Sequence, residues 1–234
     1  MTNQEYIQHY LEYIKFEKRL SPLTVKNYHR DIELLLEISP QIILNKFSID
    51  DIRRSVSSLH ARGLNGKSLS RMISAWRGLF DFLNQRFHFT HNPTLGIRAP
   101  KDKKQLPQTL SIDQTMKLVT INDTSFLGIR DHAIIELFYS SGLRLSELIN
   151  LKVQDINFGD GTVNVFGKGG KSRIVPTGKY AINAIQKWIA LRNTIKNINE
   201  KDSPVFSSKY GKCLSARAVQ YRLKLWAIKQ GIPE

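Results

Sequence analysis

Three short stretches, residues 153–158, 162–166 and 172–175, carry a strand pattern inside a chain whose other apolar residues recur at helical spacing. They are joined by Gly159-Asp160-Gly161 and by Gly167-Lys168-Gly169-Gly170-Lys171, both suited to tight turns between antiparallel neighbours. A small three-stranded antiparallel sheet is therefore expected in a chain that is otherwise mainly α.

Ahead of these strands, residues 1 to about 97 read as helices throughout. Tyr6, Tyr10, Leu11, Tyr13, Ile14 and Phe16 form a first amphipathic face. Ser21-Pro22 supplies the N-cap and first-turn proline of a second helix. Its stripe is Val25, Tyr28, Ile32 and Leu35 or Leu36, with Lys26 and Arg30 opposite. Ser48, with Asp51 three residues on, is a capping-box start for a third helix that ends near Arg62-Gly63. The fourth is the clearest, because Leu69, Met72, Ile73, Trp76, Leu79, Phe80 and Leu83 follow the i, i+3, i+4, i+7 rule. Its other face repeats Lys67, Arg71, Ser74 and Arg77. Cations separated by small residues let a helix approach a phosphate backbone closely, positioning it without reading bases. A solvated helix face is the other reading of the same pattern.

Charge bears on that choice. The 234 residues hold 35 Lys and Arg against 20 Asp and Glu, a net charge of +15. Such an excess favours a polyanionic partner, nucleic acid before a membrane surface. No apolar run is long enough to span a bilayer, and Met1-Thr2-Asn3-Gln4-Glu5 lacks a signal-peptide pattern. One cysteine, Cys213, excludes an intramolecular disulfide and fits a reducing cytoplasm. Asn92-Pro93 ends the helical bundle. Residues 98–107 then hold prolines and cations without periodicity, which makes them a basic linker between domain 1–97 and domain 108–234.

In the second domain, Ser111-Ile112-Asp113 caps a helix through Val119, residues 123–128 form a turn, and residues 129–139 are helical. That run stops at Ser140-Ser141-Gly142. A new helical pattern opens with Arg144 in its first turn, among Leu143, Leu145 and Leu148. A cation at a helix start is mildly unfavourable, because unpaired N–H groups already give that end partial positive charge. It makes sense when an anion lies between them, and phosphate accepts both the guanidinium fork and the helix N–H groups. An arginine that snorkels to solvent is the alternative.

Lys168, at the tip of the second turn, reads either as an exposed hairpin lysine or as a cation or proton donor carried by the hairpin. Its glycines lead from strand to strand, so neither a P-loop nor a dinucleotide fingerprint is supported. Residues 180–195 follow as an amphipathic helix with Trp188 and Leu191. Ser215 caps a last helix, with Val219, Leu223 and Trp226 on one side and Arg217, Arg222, Lys224 and Lys229 along it. Gly231 and Pro233 close it.

Taken in order, several segments resemble the tyrosine recombinase (phage integrase) family. They are Leu20-Ser21-Pro22-Leu23-Thr24, Asn92-Pro93, Arg98-Ala99-Pro100-Lys101, Arg130-Asp131, Gly142-Leu143-Arg144-Leu145-Ser146-Glu147-Leu148 and Gly167-Lys168-Gly169-Gly170-Lys171. Ser215-Ala216-Arg217-Ala218-Val219-Gln220 and Ile228-Lys229-Gln230-Gly231 point to the XerC branch of its bacterial Xer subfamily. The resemblance implies a SAM-like helical core-binding domain and a mixed α+β catalytic domain that close around duplex DNA. It implies cleavage by a tyrosine hydroxyl through a 3′-phosphotyrosyl link, with no metal and no cofactor. It also implies a XerD-like recombinase as partner in a heterotetramer that resolves chromosome dimers. Arg144 matches the arginine that neutralises the phosphate oxygens in the transition state. Lys168 matches the hairpin lysine that protonates the departing 5′-oxygen. Lys26, Arg30, Lys67, Arg71, Ser74, Arg77, Lys171, Arg217 and Arg222 are the expected DNA contacts.

The sequence departs from the family in one respect. After the helix that ends at Gly231 the family continues with His-x-x-Arg, a further His or Trp, and the nucleophilic tyrosine. Here His9, His29, His60, His88, His91 and His132 all precede Arg144, and Tyr180, Tyr210 and Tyr221 precede the place of that motif. The expectation is a chain shortened at its C-terminus that binds DNA without cutting it. Its second domain would leave apolar surface uncovered around Trp226 and be less stable than the first.

Overall fold

A computed structural model describes residues 1–101, 109–167, 171–195 and 204–232. The chain forms two compact units, Met1–Leu106 and Pro107–Glu234. The fold is mainly α, with one three-stranded antiparallel sheet among the described residues.

In the first unit, α1 (Asn3–Glu12) starts from a capping box between Thr2 and Glu5. A π-helical turn, Tyr13–Glu17, follows it. The wider turn rotates later side chains off the α-helical stripe, so Ile14 stays buried while Phe16 is 65% exposed, a correction to the expected first face. Ser21 caps α2 (Pro22–Ile38) by accepting the Thr24 N–H, with Pro22 in its first turn. Ser48 and Asp51 cap α3 (Ile49–Ala61) reciprocally. Helix α4 (Gly66–Phe87) buries its whole apolar stripe from Leu69 to Leu83 against the other three. The Trp76 indole N–H donates to the Asp31 carbonyl at 2.7 Å, which joins α4 to α2. At Gly78 an added Cβ would stand 2.4 Å from the Tyr10 hydroxyl, so glycine is what lets α1 lie close to α4. Asn92 is buried beyond α4, donating to Asp81 and accepting from Thr94, and Ile97 still packs in this core.

In the second unit, α5 (Ile112–Val119) starts from a Ser111–Gln114 capping box. Helix α6 (Phe126–Ser141) begins three residues earlier than its apolar periodicity suggests, because the Ser125 hydroxyl caps it by accepting the Gly128 N–H. It ends at Gly142, whose φ of +56° is the left-handed conformation that lets its N–H reach back to the Phe138 carbonyl. Helix α7 (Leu145–Asn150) follows.

The first expected strand is shorter than predicted. Residues Val153–Asp155 form a 3-10 turn, in which Asp155 accepts the Lys152 N–H, and only Ile156–Asn157 pair as β1. Strands β2 (Thr162–Phe166) and β3 (Ser172–Pro176) complete the order β1-β2-β3, with Val163 opposite both Ile156 and Val175. Val163 and Val165 face the core, which also holds Leu137, Leu148, Ile185, Trp188 and Phe206. Helix α8 (Lys179–Arg192) contributes Trp188, whose N–H donates to the Val205 carbonyl at 2.7 Å. Helix α9 (Ala216–Lys229) is capped by Ser215 and followed by Gly231 at φ +64°.

Trp226 corrects a further expectation. It is 5% exposed, not uncovered, because Val119, Ile121 and Ile135 of the α5–α6 region pack on it. Its indole N–H also finds Asp131 at 3.0 Å. The large apolar side chains that α9 leaves exposed are Tyr221 and Ile228. No described helix is long and apolar enough to cross a membrane.

Trp76 is the most consequential single side chain of the first core, being fully buried and hydrogen-bonded. Trp76→Ala is expected to cost ~3–5 kcal/mol, measured as a shift in the denaturant midpoint of the full chain. A loss below ~1 kcal/mol would mean that the first unit is not held as described.

Candidate active site

The end of α6 and the turn at Gly142 bring Arg144 to the start of α7. Its backbone is extended there (φ −72°, ψ 148°). The Arg144 N–H donates to Glu147 Oε2 at 2.8 Å, and its Nη1 donates to Glu147 Oε1 at 3.1 Å. One of the N–H groups at this helix start, where a phosphate was expected, is thus already taken by Glu147. The guanidinium is what remains for a ligand, and the Arg144 side chain is 71% exposed. It lines a cleft of 640 Å³ together with Glu147, Asn150, Asp155, Asn164, Phe166 and Gly167.

Glu147 is the opposite of Arg144 in its surroundings. Its side chain is 2% exposed, yet it carries charge. Arg173, on β3, donates Nη1 to Oε1 at 2.6 Å and Nη2 to Oε2 at 2.9 Å. These Arg173 bonds, then the backbone and side-chain bonds from Arg144, overcome the cost of burial and hold the Glu147 carboxyl down at about 2. The same bonds push the Arg173 guanidinium further up. In the sequence Glu147 stands out only as part of the motif around Arg144, and Arg173 does not stand out. The only signal for Arg173 was a cation just past the glycine turn, with nothing to link it to a carboxylate 26 residues earlier.

Lys168 lies outside the described residues. The hairpin base beside it is closed by the Gly167 N–H donating to the Lys171 carbonyl at 2.8 Å, and Lys171 itself is exposed. On α9, Arg217 is exposed, whereas Arg222 is partly buried and its Nε donates to Asp131. Asp131 is buried and also accepts from Trp226 and, at 3.0 and 2.8 Å, from Arg130. Arg130 in turn donates to the Ser207 carbonyl. Arg222 therefore has a structural partner within its own unit.

The first unit repeats this arrangement. Lys26 and Arg30 are exposed on α2, and Lys67 is exposed on α4. Arg71 is ion-paired with Asp31, whose side chain is fully buried, and Arg30 Nη2 stands 3.6 Å from the other oxygen of Asp31. The two basic helix faces thus meet at one carboxylate. Ser74 donates to the Ser70 carbonyl, and Arg77 donates to the Ile97 carbonyl at 3.2 Å. Among the described residues no group of His, Cys, Asp and Glu could hold a metal ion.

Residues 108–234 match the Phage integrase family, and residues 7–86 match its N-terminal SAM-like domain. The chain is 38% identical over 230 residues to tyrosine recombinase XerC of Proteus mirabilis, covering 97% of this chain and 74% of that protein. It is 40% identical over 221 residues to tyrosine recombinase XerC of Pseudomonas fluorescens (strain Pf0-1), covering 92% and 73%. The fold is similar to a lambda integrase dimer bound to a COC′ core site, with a TM-score of 0.75 at 20% identity over 100% of this chain and 65% of that one. It is also similar to the XerH site-specific recombinase bound to palindromic difH substrate, with a TM-score of 0.73 at 17% identity over 93% and 65%.

The depressed Glu147 carboxyl has a defined pH consequence. Its folded value, about 2, lies below the ordinary 4.5, so its contribution to stability is complete above about 4.5 and is lost as pH falls from there to about 2. Carbon-detected NMR of the side-chain carboxyls is expected to show Glu147 titrating near the bottom of that window. A midpoint at 4 or above would contradict the four-bond arrangement.

Proposed function

The chain belongs to the phage integrase family, and on that premise we propose that it is a site-specific tyrosine recombinase of the XerC type, acting on duplex DNA. The observation that carries this reading is Arg144. It is a largely exposed guanidinium in a cleft, oriented by a buried carboxylate that has no proton to release near neutral pH. Its part is to take the non-bridging oxygens of the scissile phosphate, where negative charge builds as the phosphorus becomes five-coordinate. Lys168 is assigned the departing 5′-oxygen, to which it gives a proton. In the complete reaction a tyrosine hydroxyl attacks the phosphorus, and the bond energy is kept in a 3′-phosphotyrosyl ester, so rejoining needs no external energy source. The chemistry assigned to Arg144, Lys168 and a tyrosine calls for no metal and no cofactor.

Lys26, Arg30, Lys67, Arg71, Ser74 and Arg77 in the first unit, with Lys171, Arg217 and Arg222 in the second, are the proposed backbone contacts. Arg71 and Arg222 would act while still paired with Asp31 and Asp131. The basic excess of the whole chain favours the same partner. By analogy with XerC proteins, a XerD-like recombinase is the proposed partner in a heterotetramer, chromosome dimer resolution the proposed role, and the cytoplasm the proposed site of action.

A second reading concerns residues 1–234 taken as a polypeptide. They contain no counterpart of the family's His-x-x-Arg segment, since every histidine precedes Arg144, and Tyr180, Tyr210 and Tyr221 all precede the place of the nucleophilic tyrosine. These residues are proposed to bind recombination-site DNA and hold its phosphate without breaking it. A nicked suicide substrate, which traps covalent protein–DNA adducts, is expected to yield none with residues 1–234, and an adduct would overturn this reading. Arg144→Ala is expected to weaken binding to a palindromic Xer-type site by about tenfold, or ~1.4 kcal/mol. Equal footprints on that site and on random DNA would instead indicate a general basic DNA-binding protein.

A further inference from the structure

We infer that Arg173 is a positioning residue for Arg144, holding Glu147 in a way that keeps the Arg144 guanidinium open to an anion. The inference rests on reading Arg144 as the phosphate ligand. An ionised carboxylate offers about four lone-pair sites. All four on Glu147 are occupied: Oε1 accepts from Arg144 Nη1 and Arg173 Nη1, and Oε2 accepts from the Arg144 N–H and Arg173 Nη2. Arg173 takes the bidentate share, at 2.6 and 2.9 Å. Arg144 is left with a single side-chain contact at 3.1 Å and most of its surface exposed.

The consequence is geometric and electrostatic together. While Arg173 occupies both oxygens, Arg144 cannot close a second bond to Glu147, so its remaining N–H groups stay available to the cleft. Two guanidiniums against one carboxylate leave one net positive charge beside the cleft. Without Arg173, Arg144 and Glu147 would form the bidentate pair themselves, and the charge offered to a phosphate would be cancelled.

The same contact ties two elements. Arg173 lies on β3 in register with Val165 of β2, and its Nη1 would stand 3.7 Å from a Cβ added at Gly167. The Glu147–Arg173 pair therefore fastens the base of the β2–β3 hairpin to α7, the helix that follows Arg144. A lysine at 173 keeps the charge but not the planar fork, so it cannot hold both oxygens at once.

The test uses the 234-residue chain with 15N-labelled arginine, titrated with inorganic phosphate while the Arg144 Nε–H resonance is followed. Wild type is expected to show saturable shifts at Arg144, and both Arg173→Ala and Arg173→Lys are expected to bind phosphate there roughly fivefold more weakly or worse. Before phosphate is added, both variants should also show slowed exchange of the Arg144 guanidinium protons as it closes onto Glu147. A purely structural role would lower the melting temperature without moving this resonance. Should Arg173→Ala not fold, Arg173→Lys carries the comparison. Phosphate shifts at Arg144 that survive both variants within fivefold would overturn the inference and leave the proposed function intact. No phosphate response at Arg144 in wild type would instead remove the reading on which the inference depends.

Discussion

A buried carboxylate shared between two arginines recurs through this protein, and much of its architecture depends on it. Asp31 lies between Arg30 and Arg71, Asp131 between Arg130 and Arg222, and Glu147 between Arg144 and Arg173. Each acid is 2% exposed or less at its side chain. Burying a lone carboxylate is costly, and pairing with guanidiniums offsets the cost. The pairing is through hydrogen bonds at Asp131 and Glu147 and, at Asp31, through one hydrogen-bonded arginine and a second, Arg30, at 3.6 Å. Sharing one acid between two arginines also keeps a net positive charge at each place. In a chain with fifteen more basic than acidic side chains, acids used in this way order the cations without cancelling them.

The three acids do different structural work. Asp31 sits where α2 and α4 cross, and its carbonyl takes the Trp76 indole while its carboxylate takes Arg71. Asp131 joins α6 to α9 through Arg222 and Trp226, and Arg130 extends the connection to Ser207. Glu147 joins the first turn of α7 to β3. Of the last two, Glu147 contacts Arg144 directly, while Asp131 fastens α6 to α9. The covering of Trp226 follows from the second: a polar partner and three apolar ones converge on a side chain whose own segment gave no sign of them.

Local rules made most of the fold legible. Ser21-Pro22, Ser48 with Asp51, Ser111 and Ser215 begin helices where they stand, because a side-chain oxygen satisfies an N–H group that the helix cannot. Gly142 and Gly231 end helices because their positive φ is open to glycine at little cost. The misreadings share a cause. Phe16, residues 153–155 and the start of α6 each lie where a short polar contact or a wider turn overrides hydrophobic periodicity, and periodicity carries no information about either. Of the proposed site, Arg144 drew notice because a cation is out of place at a helix start. Arg173 did not, since a cation on an exposed strand is ordinary until its carboxylate is known.

What the sequence by itself determined was most of the elements, their caps, the basic excess, and an arginine placed at a helix start. These follow from interactions within three or four residues of chain, which linear order preserves. The tertiary structure alone decided which acid meets which arginine: Glu147 with Arg173, Asp131 with Arg222, Asp31 with Arg71. Those partners are 26, 91 and 40 residues apart. Ion pairing is decided by distance in space and by burial, and neither is written in the spacing of residues along the chain.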